Sequence, residues 1–250
     1  MSIYPYDEKI KKLKELTDKS NCIVFFGGAG VSTESGIPDF RSKDGLYNLK
    51  YKYPPEMIIS RSFFIKNTEE FYRFYKDRMI YPGAAPNTAH YALAELERAG
   101  KLKAVITQNI DGLHQKAGSK NVIELHGSVL RNYCTGCGSF FDVDYVLNSK
   151  GVPVCSKCGS VIKPDVVLYE EPLSDEAIRQ AVKSISEADM LIIGGTSLTV
   201  YPAARLIDFY RGDRLVLINR DATDKDSRAD LVIHAKIGEV FSAMGFCEKN

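Results

Sequence analysis

Short apolar runs alternate with helical stretches along most of the chain, and this alternation constrains the fold more than any other feature. CIVFF at 22–26, MLIIGG at 190–195 and RLVLIN at 214–219 each hold four or more consecutive apolar residues. Such runs are typical of strands that are buried on both faces of a parallel sheet. Further strands are predicted at 104–107, 122–125, 166–169 and 231–235. The alternation therefore predicts an α/β fold, built on a doubly wound parallel sheet with helices on both faces.

Two stretches interrupt this alternation and are predicted to be insertions. Apolar periodicity weakens over 129–162, where four cysteines appear, and 44–85 forms the second insertion. The remaining segments, 1–43, 86–128 and 163–250, are assigned to the large domain. Helices are predicted over 7–19, 67–80, 87–99, 175–187, 202–210 and 238–244.

The cysteines of 129–162 are spaced as metal ligands. Cys134 and Cys137 form one C-x-x-C pair and Cys155 and Cys158 form another, with 17 residues between the pairs. Two such turns bring four thiolates to one ion and complete a tetrahedron that leaves no position for water. We therefore predict one structural Zn²⁺. An iron–sulfur cluster and four unligated cysteines are the alternatives.

The composition weighs against two classes of protein. Lys plus Arg is 33 and Asp plus Glu is 32, which gives a net charge of +1. A chain with so little net charge is not expected to hold nucleic acid by bulk electrostatics. No apolar run approaches the roughly 18 residues that a membrane helix needs, and the N-terminal sequence has no signal-peptide core. We expect a cytoplasmic protein that does not enter a membrane.

The glycine-rich loop after the first predicted strand is a candidate phosphate-binding loop. Its G-x-G at 28–30 can turn backbone N–H groups toward an anion. Thr33 stands where the dehydrogenase fingerprint has its third glycine, and no strand ends in an acid about 20 residues later. Phe40 could shield a reactive centre from water, and Arg41 could pair with a diphosphate. The alternative is a plain tight turn.

Two polar segments follow predicted strands directly, at the position where α/β sheets bind ligands. In TQNIDGLH at 107–114, Asn109 and Asp111 would point the same way in an extended backbone. His126 and Gly127 follow the strand at 122–125. An imidazole titrates near neutral pH, and its position after a strand makes His126 a candidate catalytic residue. A solvated turn and a structural histidine are the alternatives.

Together these segments resemble the motifs of the sirtuins, the NAD-dependent protein-lysine deacylases. They occur in order as GAGVS (28–32), GIPDFR (36–41), TQNIDGLH (107–114), His126-Gly127, the two cysteine pairs and GGTSL (194–198). The resemblance covers essentially the whole chain. It implies a Rossmann-type NAD-binding domain and a small domain made of a zinc ribbon and a helical insertion. NAD and acyl-lysine would enter the cleft between them.

The resemblance also implies roles for individual residues. His126 would be the general base, assisted by Asn109 and Asp111. The cofactor-binding residues would be Gly28, Ala29, Gly30, Thr33, Phe40, Arg41, Gln108, Asn109, Asp111, Gly195, Thr196, Ser197, Asn219 and Ile237. A substrate peptide would contact Val166, Val167, Leu168, Tyr169, Leu198 and Val200. The implied reaction deacetylates protein lysines, transfers the acetyl group to ADP-ribose and releases nicotinamide and O-acetyl-ADP-ribose. We expect a monomer.

The chain departs from the family pattern at two places. Family members often carry Gly-Glu after the aromatic residue of the peptide strand, whereas Tyr169 is followed by Glu170 and Glu171. Members that remove acidic acyl groups share a Tyr-x-x-Arg pair, but here Tyr72 is followed three residues later by Tyr75. Without that cation an acidic acyl group would be poorly neutralised. Acetyl and longer neutral acyl groups are therefore favoured.

Three other functions are compatible with parts of the sequence. A dehydrogenase would share the sheet, although the missing glycine and acid weigh against it. A zinc-ribbon module could bind nucleic acid or protein, although the near-zero charge weighs against DNA. Mono-ADP-ribosyl transfer would use the same cleavage of NAD as the deacylation does.

Overall fold

A six-stranded parallel sheet organises the protein, whose computed structural model describes residues 5–40, 45–46 and 51–247. The strands are β1 (Ile23–Gly27), β2 (Leu102–Thr107), β3 (Val122–Glu124), β4 (Gly127–Cys134), β5 (Phe140–Asp142), β6 (Ile162–Val166), β7 (Met190–Gly194), β8 (Leu215–Ile218) and β9 (Leu231–Ile233). The large sheet has the order β3-β2-β1-β7-β8-β9, and each neighbouring pair is parallel. The predicted parallel α/β sheet is thus confirmed.

Helices cover both faces of this sheet. The helices are α1 (Tyr6–Lys19), α2 (Pro55–Ile58), α3 (Arg61–Lys66), α4 (Thr68–Arg78), α5 (Thr88–Arg98), α6 (Leu113–Ala117), α7 (Val143–Asn148), α8 (Asp175–Glu187) and α9 (Ile237–Ala243), of which α2, α3, α4 and α7 lie in the insertions and pack in a separate core. Successive strand residues point to opposite faces. Phe25 of β1 therefore packs in one core with α1, α5 and α9, and Phe26 packs in another with α8. No helix of the described residues is long and apolar enough to span a membrane.

The strand order places the ligand-binding end of the sheet between β1 and β7. The chain runs outward from β1 through β2 to β3, and then returns to β7 on the other side of β1. In open α/β sheets, ligands bind where the strand order reverses, beyond the carboxyl ends of the strands. The loops after β1 and β7 meet there, because Gly30 donates its N–H to the Gly195 carbonyl at 2.8 Å. A Cβ on Gly30 would lie only 2.7 Å from the Gly195 Cα.

The two predicted insertions pack against each other. Strands β5, β4 and β6 form a second, antiparallel sheet next to the cysteines. Aromatic residues of α4, among them Phe71 and Phe74, share a buried core with Val129 and Ile162 of this sheet. The sheet runs from Gly127 to Val166. It therefore extends slightly past both ends of the predicted ribbon, because β4 and β6 pair along most of their length.

Some predicted elements differ in detail from the structure. The segment predicted as a helix over 202–210 is a 3₁₀ helix at Ala203–Phe209. The strand predicted at 166–169 contributes only its first residue to β6, and the rest is held by separate backbone hydrogen bonds described below. The short helices α2, α3, α6 and α7 were not predicted, since one or two turns give too little periodicity to recognise.

Candidate active site

One cavity of about 830 Å³ lies beyond the carboxyl ends of the large sheet and reaches the small domain. This volume is within the range of small-molecule sites. The predicted residues that line it are Gly28, Ala29, Gly30, Thr33, Phe40, Gln108, Asn109, Asp111, His126, Val166, Val167, Leu168, Tyr169, Gly195, Thr196, Ser197, Val200, Asn219 and Ile237. Leu198 is buried in the core beside α8 instead. Arg41 lies outside the described residues.

His126 lies between β3 and β4 and lines this cavity. Its Nδ1 is 2.9 Å from the carbonyl oxygen of Gln108. A carbonyl can only accept, so Nδ1 carries the proton and Nε2 keeps its lone pair in the neutral ring. Burial lowers the pKa of His126, and the hydrogen bond to Gln108 partly opposes this shift. The ring is therefore neutral at pH 7 and can accept a proton at Nε2.

A chain of hydrogen bonds holds the polar segment after β2. Asn109 donates from Nδ2 to the Ser32 hydroxyl at 3.0 Å, and that hydroxyl donates to Asp111 Oδ2 at 2.7 Å. The other Asp111 oxygen accepts the Leu113 N–H at 2.9 Å. Burial raises the pKa of Asp111, whereas these hydrogen bonds lower it. A buried carboxylate that accepts these two hydrogen bonds can stabilise positive charge that develops beside it.

Ser32 is the residue of this network that the site prediction omitted. It is almost completely buried and lines the cavity. Its position within the GAGVS segment was the available signal, but its partners lie 77 and 79 residues further along the chain. Short motifs carry no information about contacts of that separation.

The loop after β7 is shaped by Asn219 at the end of β8. Asn219 Oδ1 accepts the Thr196 N–H and Nδ2 donates to the Thr196 carbonyl, each at 2.9 Å. Gln108 Nε2 donates to the Thr196 hydroxyl at 3.0 Å, so the segment after β2 supports the same loop. Gly195 has φ of +61°, and a Cβ there would lie 2.5 Å from the Val31 nitrogen. Asn219 thus fixes the loop, and its predicted ribose contact stays a prediction.

The four cysteines converge as a metal site requires. Their sulfur atoms all lie within 4.8 Å of one another. Backbone N–H groups of Gly136 and Lys157 donate to the sulfur atoms of Cys134 and Cys155 at 3.3 and 3.4 Å. Four thiolates in this arrangement suit Zn²⁺. None of the described residues lining the cavity is a cysteine, so a metal here would stabilise the fold and take no part in the chemistry.

The predicted peptide-binding segment connects His126 to the helical insertion. Val167 donates its N–H to the His126 carbonyl at 3.0 Å. Two residues later, Tyr169 donates to the Ile59 carbonyl and accepts from the Arg61 N–H, both at 3.0 Å. Val167 and Tyr169 line the cavity. The segment is therefore extended and lies between the candidate base and α3.

Comparison with known proteins decides the family. The model of the Sir2 family matches residues 28–202, well over half of the chain. An NAD-dependent protein deacetylase of Clostridium perfringens is 65% identical over 237 residues, which cover 94% of this chain and 97% of that protein. The chain belongs to the Sir2 family. The resemblance to sirtuins inferred from the motifs is thereby confirmed.

Solved Sir2 structures share the fold over nearly the whole length. A Sir2 protein with a p53 peptide and NAD⁺ has a TM-score of 0.83 and 42% identity, covering 93% of this chain and 95% of that one. Another Sir2 complex holds the inhibitor EX-527, 2′-O-acetyl-ADP-ribose and a deacetylated p53 peptide. It has a TM-score of 0.82 and 42% identity, covering 93% of this chain and 96% of that one.

Proposed function

We propose that this Sir2 protein is an NAD-dependent protein-lysine deacetylase. The observation that carries the proposal is a single cavity at the switch point of the sheet. It brings together a neutral imidazole, a buried carboxylate network and two glycine loops. The named activity of the Clostridium perfringens relative and the ligands of the Sir2 complexes support the same reaction.

NAD would be consumed as a substrate, supplying a ribose carbon that the acetyl oxygen attacks as nicotinamide leaves. Backbone groups of the loops at 28–30 and 195–197 would hold its phosphates, with Thr33 and Phe40 beside them. Gln108 and Asn109 would contact nicotinamide and its ribose. Further from the reacting centre, Asn219 and Ile237 would flank the adenosine.

Two side chains of this site would take part in the chemistry, one by stabilising charge on the ribose and one by accepting a proton. Asp111, held by Ser32, would stabilise the positive charge that develops on the ribose as nicotinamide leaves. His126 would accept a ribose hydroxyl proton at Nε2, so that this oxygen can attack the acetyl carbon. General-base help of this kind contributes about 10²–10⁴-fold to a rate. The lysine amine would then leave and water would add to the acetyl carbon, so the products would be free lysine, nicotinamide and O-acetyl-ADP-ribose.

The substrate peptide would lie between the segments 165–170 and 197–201 and add a strand by pairing through its backbone. Recognition of this kind reads little sequence, so a broad range of acetylated proteins is expected. For the acyl group, Tyr72 donates its hydroxyl to the Ile162 carbonyl, and Tyr75 lines the cavity as a buried phenol. Burial raises the pKa of Tyr75, so the ring stays neutral. Tyr75 thus supplies no positive charge at the position where the Tyr-x-x-Arg pair has its Arg, which supports a neutral acyl group.

The test is to incubate the protein with an acetyl-lysine peptide, with and without NAD. We expect nicotinamide release that needs both substrates, and O-acetyl-ADP-ribose in the mass spectrum. A peptide or protein carrying ADP-ribose would instead indicate ADP-ribosyl transfer, and growing absorbance of reduced nicotinamide would indicate a dehydrogenase. Intact acetyl groups on a varied peptide panel, with NAD bound, would contradict the proposal.

We also propose the remaining properties that the sequence predicts. The protein would act in the cytoplasm as a monomer with one structural Zn²⁺ at Cys134, Cys137, Cys155 and Cys158. It would not bind membranes or nucleic acid directly, which the net charge of +1 supports. Its large domain would comprise 1–43, 86–128 and 163–250, and its small domain 44–85 and 129–162. Light scattering after size exclusion, and salt-dependent DNA retention, test the assembly and the nucleic-acid statements.

A further inference from the structure

Glu170 has an unusual backbone conformation immediately after the peptide-binding segment. Its φ is +74°, in the left-handed region that favours glycine. A side chain there is strained, and such strain persists only where the surrounding structure enforces it. Strained residues of this kind cluster at ligand-binding sites. The contacts of the Glu170 side chain therefore indicate which interactions hold the residue in this conformation.

The Glu170 carboxylate binds a single residue of the helical insertion through both of its oxygens. Oε2 accepts the backbone N–H of Ser62, and Oε1 accepts the Ser62 hydroxyl, each at 2.9 Å. Ser62 is in the first turn of α3, where backbone N–H groups have no partner within the helix. The pair joins residues that are 108 positions apart in the chain. We call this pair of hydrogen bonds the Glu170–Ser62 clamp.

The clamp continues a row of backbone hydrogen bonds that starts at the candidate base. Val167 pairs with His126, and Tyr169 pairs with Ile59 and Arg61. Glu170 is the next residue and makes the last of these connections to the insertion. The clamp thus fixes the end of the peptide-binding segment that lies furthest along the chain from its contact with His126.

The neighbouring Glu171 turns toward the other side. Its Oε2 accepts the Leu168 N–H at 2.9 Å and pairs with the Lys163 ammonium at 3.0 Å. Glu171 therefore supports the segment from β6, which carries Lys163, whereas Glu170 ties it to α3. The two adjacent carboxylates have separate partners, so their contributions can be measured separately.

We propose that Glu170 is a positioning residue, which locks the peptide-binding segment onto the helical insertion through Ser62 and thereby sets the affinity for the acyl-lysine peptide. The peptide as ligand rests on the proposed deacetylase function, but the clamp is a property of the protein without substrates. An edge that is already held in an extended shape loses less conformational freedom when a peptide strand is added. The clamp should therefore act on peptide binding more than on the chemical step.

Steady-state kinetics of four variants tests this proposal. Glu170→Gly removes the clamp and places at this position the residue that adopts a positive φ without strain. We expect its KM for an acetyl-lysine peptide to rise roughly fivefold, the scale of one net hydrogen bond, with kcat and the KM for NAD within about twofold. Glu170→Gln keeps one acceptor oxygen and Ser62→Ala keeps the N–H, so each should raise the peptide KM less than Glu170→Gly does. The double variant Glu170→Gly/Ser62→Ala should have the same peptide KM as Glu170→Gly, because the clamp is already absent.

Glu187→Gln is the matched control, because this carboxylate is exposed at the end of α8 and does not line the cavity. It should leave all three kinetic constants unchanged. The proposal would be overturned if Glu170→Gly had the wild-type KM for the peptide. It would also be overturned if kcat and the KM for NAD changed by as large a factor as the peptide KM. Additive losses in the double variant would also overturn it, since the two residues would then act independently.

Hydrogen exchange of the substrate-free protein gives a readout that needs no catalysis. The amides of Arg61 and Tyr169 should exchange faster in Glu170→Gly than in the wild type, because the clamp borders the hydrogen bonds that protect them. Unchanged exchange there would refute the clamp. Faster exchange in a protein that does not release nicotinamide would instead refute the deacetylase function and leave the clamp standing.

Discussion

His126 acts in this site through one ring nitrogen because the other is already used. Nδ1 donates to Gln108 at 2.9 Å, which leaves the basic lone pair on Nε2. The Asp111 carboxylate is oriented in a similar way. Ser32 donates its hydroxyl to Asp111 at 2.7 Å, and Asn109 donates to that hydroxyl at 3.0 Å. Each side chain has its function because a partner elsewhere in the chain fixes its orientation and its protonation.

At this scale we predict that His126→Ala folds but loses about 10²–10⁴-fold in kcat, the usual contribution of a general base. The measurement is nicotinamide or peptide product release at saturating substrates. Because burial lowers the pKa of His126, the wild-type kcat/KM should fall only when the pH drops below the ordinary histidine value of about 6.5. A fall that begins above that pH, or full turnover in the variant, would exclude His126 as the base.

Two helices bury histidines against each other. His90 of α5 and His114 of α6 have ring centroids 4.7 Å apart, and both rings are almost completely buried. Burial lowers the pKa of His114 to about 4 and that of His90 well below its ordinary value. Both rings are therefore neutral in the folded protein, while the unfolded chain binds protons near pH 6.5.

We predict that this pair makes the protein sensitive to acid. Between pH 6.5 and about 4 the unfolded state binds more protons than the folded state, so the free energy of unfolding falls as the pH falls. His114 by itself should account for about 3 kcal/mol across that range. Urea denaturation at several pH values measures this, with His114→Leu as the comparison. An equally steep pH dependence in the variant would contradict the prediction.

The ribbon turns depend on their cysteines. We predict that Cys134→Ser lowers the zinc content and the thermal stability of the protein, because the three remaining thiolates cannot close the tetrahedron. Metal analysis and thermal denaturation are the measurements. Cys247→Ser is the control, since Cys247 is exposed and lies outside the cluster. A wild-type protein with no stoichiometric zinc would show that the site has another role.

At the scale of the whole molecule, Arg131 bridges the two sheets. Its guanidinium contacts Glu124 of β3 at 2.7 Å and Asp165 of β6 at 2.8 Å. The Arg131 side chain is 37% exposed, so solvent screening reduces the value of both pairs. The network nevertheless joins the edge of the large sheet to the sheet that carries the peptide-binding segment.

We predict that Arg131→Met lowers the free energy of unfolding by about 1 kcal/mol at low salt. In 1 M NaCl the difference between the variant and the wild type should shrink, because salt screens the wild-type pairs. Urea denaturation at both salt concentrations measures it. A difference that does not change with salt would mean that Arg131 acts by packing its methylene groups.

Patterns within short stretches were sufficient to predict much of this protein. The uniformly apolar β1 and β7 indicated buried parallel strands, and the structure buries every residue of both. A helix was predicted over 87–99, and the structure has it at Thr88–Arg98 with Asn87 as its N-cap, whose side chain accepts the Ala89 N–H. The cysteine spacing predicted the cluster in which all four sulfurs meet. Each of these features depends on neighbours that are close along the chain.

Only the tertiary structure decided the strand order and the partners of the site residues. The partners of Ser32 and Glu170 lie 79 and 108 residues away. Asn219, which resemblance assigned to a ribose, uses its amide to hold Thr196. Propensity and periodicity describe what a segment prefers on its own. Contacts between distant segments depend on how the whole chain packs, and they determine which atom of a side chain remains available for chemistry.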